Sequence, residues 1–81
     1  MIQKIFSVYD SKVEAYIGVS MYKSKGEALR NFVDQLKDDN HPWAKHPEDY
    51  TLFHIGEWSD VDCKFSSLDT PHSIGVGLEL L

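Results

Sequence analysis

The chain has 81 residues, a hydrophobic content of 42% that includes 12% aromatic residues, and a formal net charge of −5 from eight Lys and Arg against thirteen Asp and Glu. This composition excludes a disordered chain, and no apolar run approaches the roughly 20 residues that a membrane-spanning helix needs. Proteins that bind nucleic acid simply by neutralising phosphates are expected to be basic, so the acidic balance argues against that class.

The first two predicted elements are strands joined by a tight turn. Residues 2–9 alternate between a mostly apolar face and a mixed face, which is the pattern of a strand. After a turn at residues 10–12, residues 13–22 are rich in β-branched and aromatic side chains and are expected to pair back antiparallel. The face of this second strand that is expected to enter the core consists of Val13, Ala15, Ile17, Val19 and Met21. The other face carries Tyr16 and Tyr22.

A capping sequence and an apolar stripe predict one helix. Ser24 with Glu27 three residues later matches a capping box, in which each side chain accepts a bond from an amide that the helix start leaves unpaired. The apolar stripe that follows consists of Ala28, Leu29, Phe32, Val33 and Leu36. Carboxylates at Asp38 and Asp39 oppose the negative end of the helix dipole, so the helix is expected to end near them. Residues 41–47 are predicted to form a loop bounded by prolines.

Three further strands are predicted in the second half of the chain. Residues 50–58 carry apolar and aromatic side chains on both faces, which is typical of a central strand. After a polar turn, residues 63–68 are predicted to be an edge strand, and the Asp-Thr-Pro sequence that follows is expected to interrupt the chain. Residues 73–81 are predicted to form a last strand, in which Gly75 and Gly77 leave one face bare for another backbone, an aromatic ring or a base.

These elements predict an α+β fold, with one amphipathic helix packed on a mainly antiparallel sheet of four or five strands. The length predicts a single domain, residues 1–81. Because a core of this size gives only a small margin of stability, association with a second copy, most simply as a dimer, is expected to supplement it.

Four segments carry a family resemblance, and in chain order they read KIFSVYDSKVEAY, KGEALRNF, HPEDYTLFHIGEW and SIGVGLEL. Together they resemble the small nonstructural protein of gokushoviruses, which are single-stranded-DNA phages of the Microviridae. The resemblance implies a DNA-binding protein, similar in role to the microvirus protein that switches genome replication toward single-strand production and packaging. It assigns no role to any individual residue.

The cellular location is predicted from the single cysteine and the amino terminus. Cys63 has no partner for an internal disulfide, which fits a reducing cytoplasm. The first residues lack the long apolar core and small-residue cleavage site of a signal peptide. For a phage protein, these features predict the cytoplasm of the infected host.

The residues that could bind metal or catalyse a reaction do not form a recognised pattern. The four histidines, His41, His46, His54 and His72, are accompanied by no paired CxxC or HxxxH element, so no metal site is predicted. Cys63 could pair with one of these histidines, or Glu48 with Asp49, but nothing orients a base or forms an oxyanion hole. No glycine-rich loop leads from a strand into a helix to hold phosphate. Neither enzyme activity nor a cofactor is expected.

An aromatic face is the strongest candidate for a binding site. If the hairpin and residues 50–58 lie in one sheet, Tyr9, Tyr16, Tyr22 and His54 could share the face opposite the helix and stack unpaired bases. The candidate nucleic-acid-binding residues are Tyr9, Lys12, Tyr16, Tyr22, Lys23, Lys25 and Arg30. The lysines and arginine would meet phosphates, partly at the helix start.

Two functions therefore stay open. The first is a non-catalytic accessory protein that binds single-stranded DNA during viral genome replication or packaging. The second is an interaction module that binds a capsid, replication or host protein without contacting DNA, because Tyr and Trp are enriched in protein interfaces as well. The residues alone favour the second function, and the resemblance favours the first.

Overall fold

All 81 residues are described by the computed structural model of the chain. The four strands are β1 (Ile2–Asp10), β2 (Ala15–Tyr22), β3 (Tyr50–Ser59) and β4 (Lys64–Val76), which form one antiparallel sheet in the order β2-β1-β3-β4. Helix α1 (Lys25–Leu36) follows β2, and the short helix α2 (Gly77–Leu80) ends the chain. The α+β class and the antiparallel sheet are confirmed, with four strands rather than five.

The hydrophobic core is formed by α1 and the two central strands. Its buried members are Phe6, Val8, Ala28, Phe32, Leu36 and Leu52. The three helical members recur at every fourth position, which places them on one face of α1. Because Val8 is the cross-strand partner of Leu52, β1 and β3 present these two side chains on the same face of the sheet. The core therefore depends on the central pair of strands more than on the edges.

The predicted loop after α1 contains two short 3-10 turns, Pro42–Lys45 and Pro47–Asp49. The first turn begins where the His41 ring nitrogen Nδ1 accepts a hydrogen bond from the Trp43 amide at 3.2 Å. The turn places the Trp43 ring 5.7 Å from the Phe32 ring and 5.5 Å from the Tyr50 ring, measured between centroids. Trp43 thus covers the side of the core between α1 and the start of β3.

The start of α1 matches the predicted cap in one of its two bonds. Ser24 is the N-cap residue, and its hydroxyl oxygen accepts a bond from the Glu27 amide at 3.2 Å. The Glu27 side chain does not return a bond to the Ser24 amide. The helix ends at Leu36, two residues before Asp38, and has no basic side chain in its last turn. This early end agrees with the unfavourable interaction between carboxylates and the negative end of the helix dipole.

The prediction that one face of the second strand enters the core was wrong. Val13 lies in the turn before β2, and Ile17, Val19 and Met21 are 41%, 67% and 45% exposed. The physical reason is that β2 is an edge strand, while the buried members of the core come only from α1, β1 and β3. Large apolar side chains of β2 are consequently left on the surface.

A bulge at Gly18 changes which residues of β2 share a face. Phe6 is paired with Ser20, whereas Val8 is paired with Ile17, so β2 has one extra residue between these pairs. Gly18 has a φ of +61°, which costs glycine less than other residues, and its carbonyl accepts a bond from the Ser7 hydroxyl at 2.6 Å. The expectation that Tyr16 and Tyr22 share one face was therefore wrong.

The end of the chain also differs from the prediction. Strand β4 continues through the Asp-Thr-Pro sequence at residues 69–71 to Val76, although its pairing with β3 is broken between Ser67 and His72. The chain then turns into α2, and the two glycines do not form a bare strip. A Cβ atom on Gly75 would lie 2.9 Å from the Leu80 side chain, and one on Gly77 would lie 2.6 Å from the Pro47 carbonyl oxygen. Both glycines permit close packing of the chain's own end.

Truncating Phe32 to Ala is expected to lower the free energy of unfolding by on the order of 3 to 5 kcal/mol, because its ring is 3% exposed and lies in the core. Arg30→Ala, on the exposed side of the same helix, is expected to change it by about 0.5 kcal/mol or less. Urea melts measure both values. Equal losses for the two variants would contradict this assignment of the helix faces.

Gly77→Ala is expected to destabilise the protein by about 1 to 3 kcal/mol, because the new methyl group would collide with the Pro47 carbonyl and lie 3.0 Å from the Leu36 side chain. Gly26→Ala is the matched control. Its Cβ would have only the Ser24 hydroxyl nearby, at 3.9 Å, and alanine favours the helix by up to about 1 kcal/mol. The melting temperatures of the two variants should therefore shift in opposite directions from that of the wild type. A shift in the same direction would count against the close packing at Gly77.

Candidate nucleic-acid interface

The face of the sheet opposite α1 carries three aromatic rings in mutual contact. We call Tyr9, Tyr16 and Phe53 the aromatic triad. Tyr9 pairs across the strands with Tyr16, and their ring centroids are 5.0 Å apart. Phe53 lies 6.4 Å from Tyr9 and 5.6 Å from Tyr16, and all three pairs have an edge-to-face arrangement. Such pairs contribute about 0.5 to 1.5 kcal/mol each beyond burial, so the triad is a pre-formed platform.

The strand alternation explains why the triad faces away from the helix. Val8 and Leu52 are buried in the core, so their neighbours Tyr9 and Phe53 point to the opposite side. Neither neighbour is fully buried, and Tyr16 is 49% exposed. The triad therefore presents aromatic surface to solvent.

Two of the four aromatic residues that were expected to share this face lie elsewhere. The rings of Tyr22 and His54 are 6.0 and 5.1 Å from the ring of Phe6, which places both residues on the core side of the sheet. Phe53 takes their place and was missed by the sequence analysis. The alternation in residues 50–58 carries the signal, because Phe53 lies between Leu52 and His54 and therefore faces the other way.

A shallow groove lies beside the triad on the same face. It has a volume of about 370 Å³ and is lined by Ser7, Tyr16, Gly18, Val19, Ile55 and Pro71. One wall comes from β2, and the other comes from the bulged regions of β3 and β4. Since the Gly18 bulge forms part of the wall, the feature that turns Tyr16 outward also shapes the groove. Its apolar lining suits a flat, uncharged group better than an anion.

A second, smaller cleft of about 110 Å³ opens on the core side, between β2 and α1. Its walls include Phe6, Phe32 and Trp43, and Ser20, Asn31 and Gln35 also line it. The Gln35 amide donates a bond to the Asn31 side-chain oxygen at 3.2 Å. The cleft has no Lys or Arg in its lining, so it offers no partner for a phosphate.

The basic candidate residues occupy two separate regions along β2. Lys12 lies in the turn at the end of the hairpin that carries the triad, whereas Lys23, Lys25 and Arg30 lie beyond the other end of β2 and on α1. The seven residues from Tyr16 to Tyr22 span about 20 Å of strand, so no single phosphate meets both regions. All four basic side chains are exposed, and the two ion pairs of the structure, Met1 with Asp60 and His46 with Glu48, involve none of them.

The end of β1 and the start of β3 form an acidic region on the core side of the sheet. Asp10 is paired with Tyr50 across the strands and is 9% exposed, with its carboxylate accepting a bond from the Lys12 amide at 2.9 Å. Burial raises the pKa of the Tyr50 hydroxyl above its ordinary value, and the carboxylates of Asp10 and Asp49 raise it further. This negative region lies on the opposite side of the sheet from the triad.

The residues considered for metal binding or catalysis are only partly brought together. His46, Glu48 and Asp49 place their potential ligand atoms within 4.8 Å of one another in the second 3-10 turn. His54 and His72 are cross-strand partners with ring centroids 6.4 Å apart, while Cys63 lies exposed in the turn before β4. The Asp49 backbone oxygen is also used structurally, since it accepts bonds from Ser11 at 3.0 and 3.2 Å.

Tyr50→Phe is expected to reduce the loss of stability at alkaline pH. Because the folded protein raises the pKa of Tyr50, this group's contribution to stability is fully present below the unfolded pKa of about 10 and is lost as pH rises through the folded pKa. The variant keeps the ring against Trp43 and removes the ionisable hydroxyl. Urea melts above about pH 10 should show a steeper decline for the wild type. Parallel declines would contradict the raised pKa.

Comparison with known proteins shows which family the chain belongs to. No helix of the structure is long and apolar enough to cross a membrane. No curated protein and no solved structure matches the chain significantly. Residues 3–80, which are nearly the whole chain, match the family described as Phage ORF5 protein. The chain therefore belongs to the Phage ORF5 protein family and is a bacteriophage protein.

Proposed function

We propose that the protein binds single-stranded DNA, without catalysis, as an accessory protein in phage genome replication or packaging in the host cytoplasm. The observation that carries this proposal is the aromatic triad, with a half-exposed Tyr16, on a sheet face that no helix covers. The family supports a phage role. The resemblance of four sequence segments to gokushovirus nonstructural proteins supports a role with single-stranded genomes.

Stacking explains how an acidic protein binds a polyanion. Each base that stacks on an aromatic side chain contributes about 1 to 3 kcal/mol, independent of salt and largely independent of sequence. Tyr16 offers its exposed ring to one base, and the apolar groove next to it offers room for a neighbour. Duplex DNA cannot use this platform, because its base faces are hidden inside the stack.

The basic residues define the path of the strand. A DNA strand that runs along β2 passes Lys12 near the triad and reaches Lys23 at the opposite end, while the acidic region around Asp10 stays on the other side of the sheet. Because these lysines form no ion pairs within the protein, binding phosphate breaks no existing contact. The path offers about two to four phosphate contacts, which predicts a salt slope of only about −1.4 to −2.8 on single strands.

A protein partner is the second candidate function. The apolar side chains that β2 leaves exposed favour it, since exposed apolar patches with few charges commonly mark protein interfaces. The net charge of −5 favours it as well, because the field of the whole chain repels DNA. In this case the partner would be a capsid, replication or host protein.

Tyr16→Ala is expected to weaken binding of labelled single-stranded oligonucleotides about fivefold to 150-fold at every salt concentration, because it removes a stacking surface. Phe65→Ala is the matched control, since Phe65 is a 68% exposed aromatic residue on β4 outside the triad. Fluorescence anisotropy over a salt series, with single-stranded and duplex oligonucleotides, measures both effects.

Lys12→Ala should instead flatten the salt slope, by about 0.7 for one lost phosphate contact.

Equal effects of Tyr16→Ala and Phe65→Ala would show that the triad is not part of the binding site. Absence of binding by the wild type even at low ionic strength, where charges are least screened, would reject direct DNA binding and leave the protein partner as the function.

A further inference from the structure

Strand β2 is an edge strand with no charged residue. Its sequence AYIGVSMY contains neither Lys, Arg, Asp nor Glu, although charged residues make up 26% of the chain. Four of its large side chains are exposed: Tyr16 by 49%, Ile17 by 41%, Val19 by 67% and Met21 by 45%. A free edge with such side chains is a ready template for pairing with another strand.

The opposite edge of the sheet, in contrast, is protected against pairing with another strand. Strand β4 contains Lys64, Asp69 and Pro71, whereas β2 contains no charged residue and no proline. Charges and proline are among the features by which natural sheets prevent edge-to-edge association. Bulges do not distinguish the two edges, because β2 has its own bulge at Gly18. The contrast identifies β2 as the edge that is open to a partner.

We propose that β2 pairs antiparallel with β2 of a second copy and joins the two sheets into one of eight strands. An antiparallel pair of identical strands is related by a two-fold axis, so the same surface serves both copies and the assembly closes as a dimer. Because each chain carries a net charge of −5, two copies are least repelled where the contact surface is uncharged.

The residues that flank β2 provide charge complementarity for this arrangement. Glu14 precedes the strand and Lys23 follows it, so both lie at the same distance from its centre, between Gly18 and Val19. In a centred antiparallel pair, the turn that carries Glu14 in each copy lies beside the bend that carries Lys23 in the other. Opposite charges in directly facing positions stabilise strand pairing. A parallel pairing would instead place Glu14 beside Glu14 and Lys23 beside Lys23.

The two-fold arrangement would also place the two DNA-binding faces on the same side of the dimer, an inference that rests on the proposed function. A two-fold axis perpendicular to an antiparallel sheet leaves the corresponding faces of both copies on the same side. Both aromatic triads would then lie on one continuous surface, with both α1 helices on the other. A single DNA strand could contact both triads, which raises the effective concentration for the second contact.

Light scattering on a size-exclusion column, without DNA, tests the interface. The wild type should be a dimer at high micromolar concentration, and Val19→Lys should be a monomer because it places a charge in the pairing edge. Val61→Lys is the matched control, an 85% exposed valine in the turn between β3 and β4, and it should stay dimeric. A monomeric wild type, a dimeric Val19→Lys or open-ended larger species would each overturn the proposal.

Charge reversal tests the register and does not depend on the folding of the Val19 variant. Lys23→Glu should weaken the dimer roughly two- to thirtyfold, since two symmetry-related pairs are lost and each is worth a factor of about 1.4 to 5. Adding Glu14→Lys should restore it. Sedimentation equilibrium measures both dissociation constants, and a double variant no tighter than Lys23→Glu would reject this register. Since DNA is absent throughout, failure here leaves the DNA proposal to its own titration.

Discussion

The burial of Phe6 is the constraint on which the rest of the structure depends. Phe6 is 1% exposed, is the largest fully buried side chain, and lies on β1 between β2 and β3. A slip of one residue in β1 would carry Phe6 to the outer face and turn Ser7 into the core, at a cost of several kcal/mol for an unburied aromatic ring. Fixing Phe6 therefore fixes which residues of β1 point outward. Tyr9 becomes part of the triad for this reason.

The bulge at Gly18 then decides the composition of the outer face. From Lys4 paired with Tyr22 and Phe6 paired with Ser20, an unbroken register would pair Asp10 with Tyr16 and turn Tyr16 toward the helix side. The extra residue in β2 pairs Tyr9 with Tyr16 instead. One glycine at a φ of +61° thus separates Tyr22, which packs on the core, from Tyr16, which faces solvent. The candidate site is a consequence of this local change in register.

The elements that the sequence predicted well are those in which one local signal decides the structure. Ser24 marks the start of α1, and the alternation in residues 2–9 and 50–58 marks β1 and β3. Bulges are not visible in the same way, because one extra residue leaves the composition of a strand unchanged. The sequence predicts that Pro71 interrupts the chain, yet proline is tolerated on edge strands and at bulges, where no ladder hydrogen bond needs its missing N–H. The sequence predicts Gly77 to be a strand residue, because only tertiary contacts with Leu36 and Pro47 distinguish its close packing from a bare face.

The two proposed roles of β2, pairing with a second copy and stacking of bases, would use different groups. The backbone N–H and C=O groups of its free edge lie in the plane of the sheet, whereas its side chains stand perpendicular to that plane. Pairing with a second copy would use the first set, and stacking of bases would use Tyr16 from the second. The net charge of −5 also loses much of its force against DNA binding at this location, since β2 is uncharged and the acidic pair Asp10 and Asp49 acts on Tyr50 at the core side of the sheet. The charge near Tyr16, rather than the total charge, therefore bears on the proposed DNA binding.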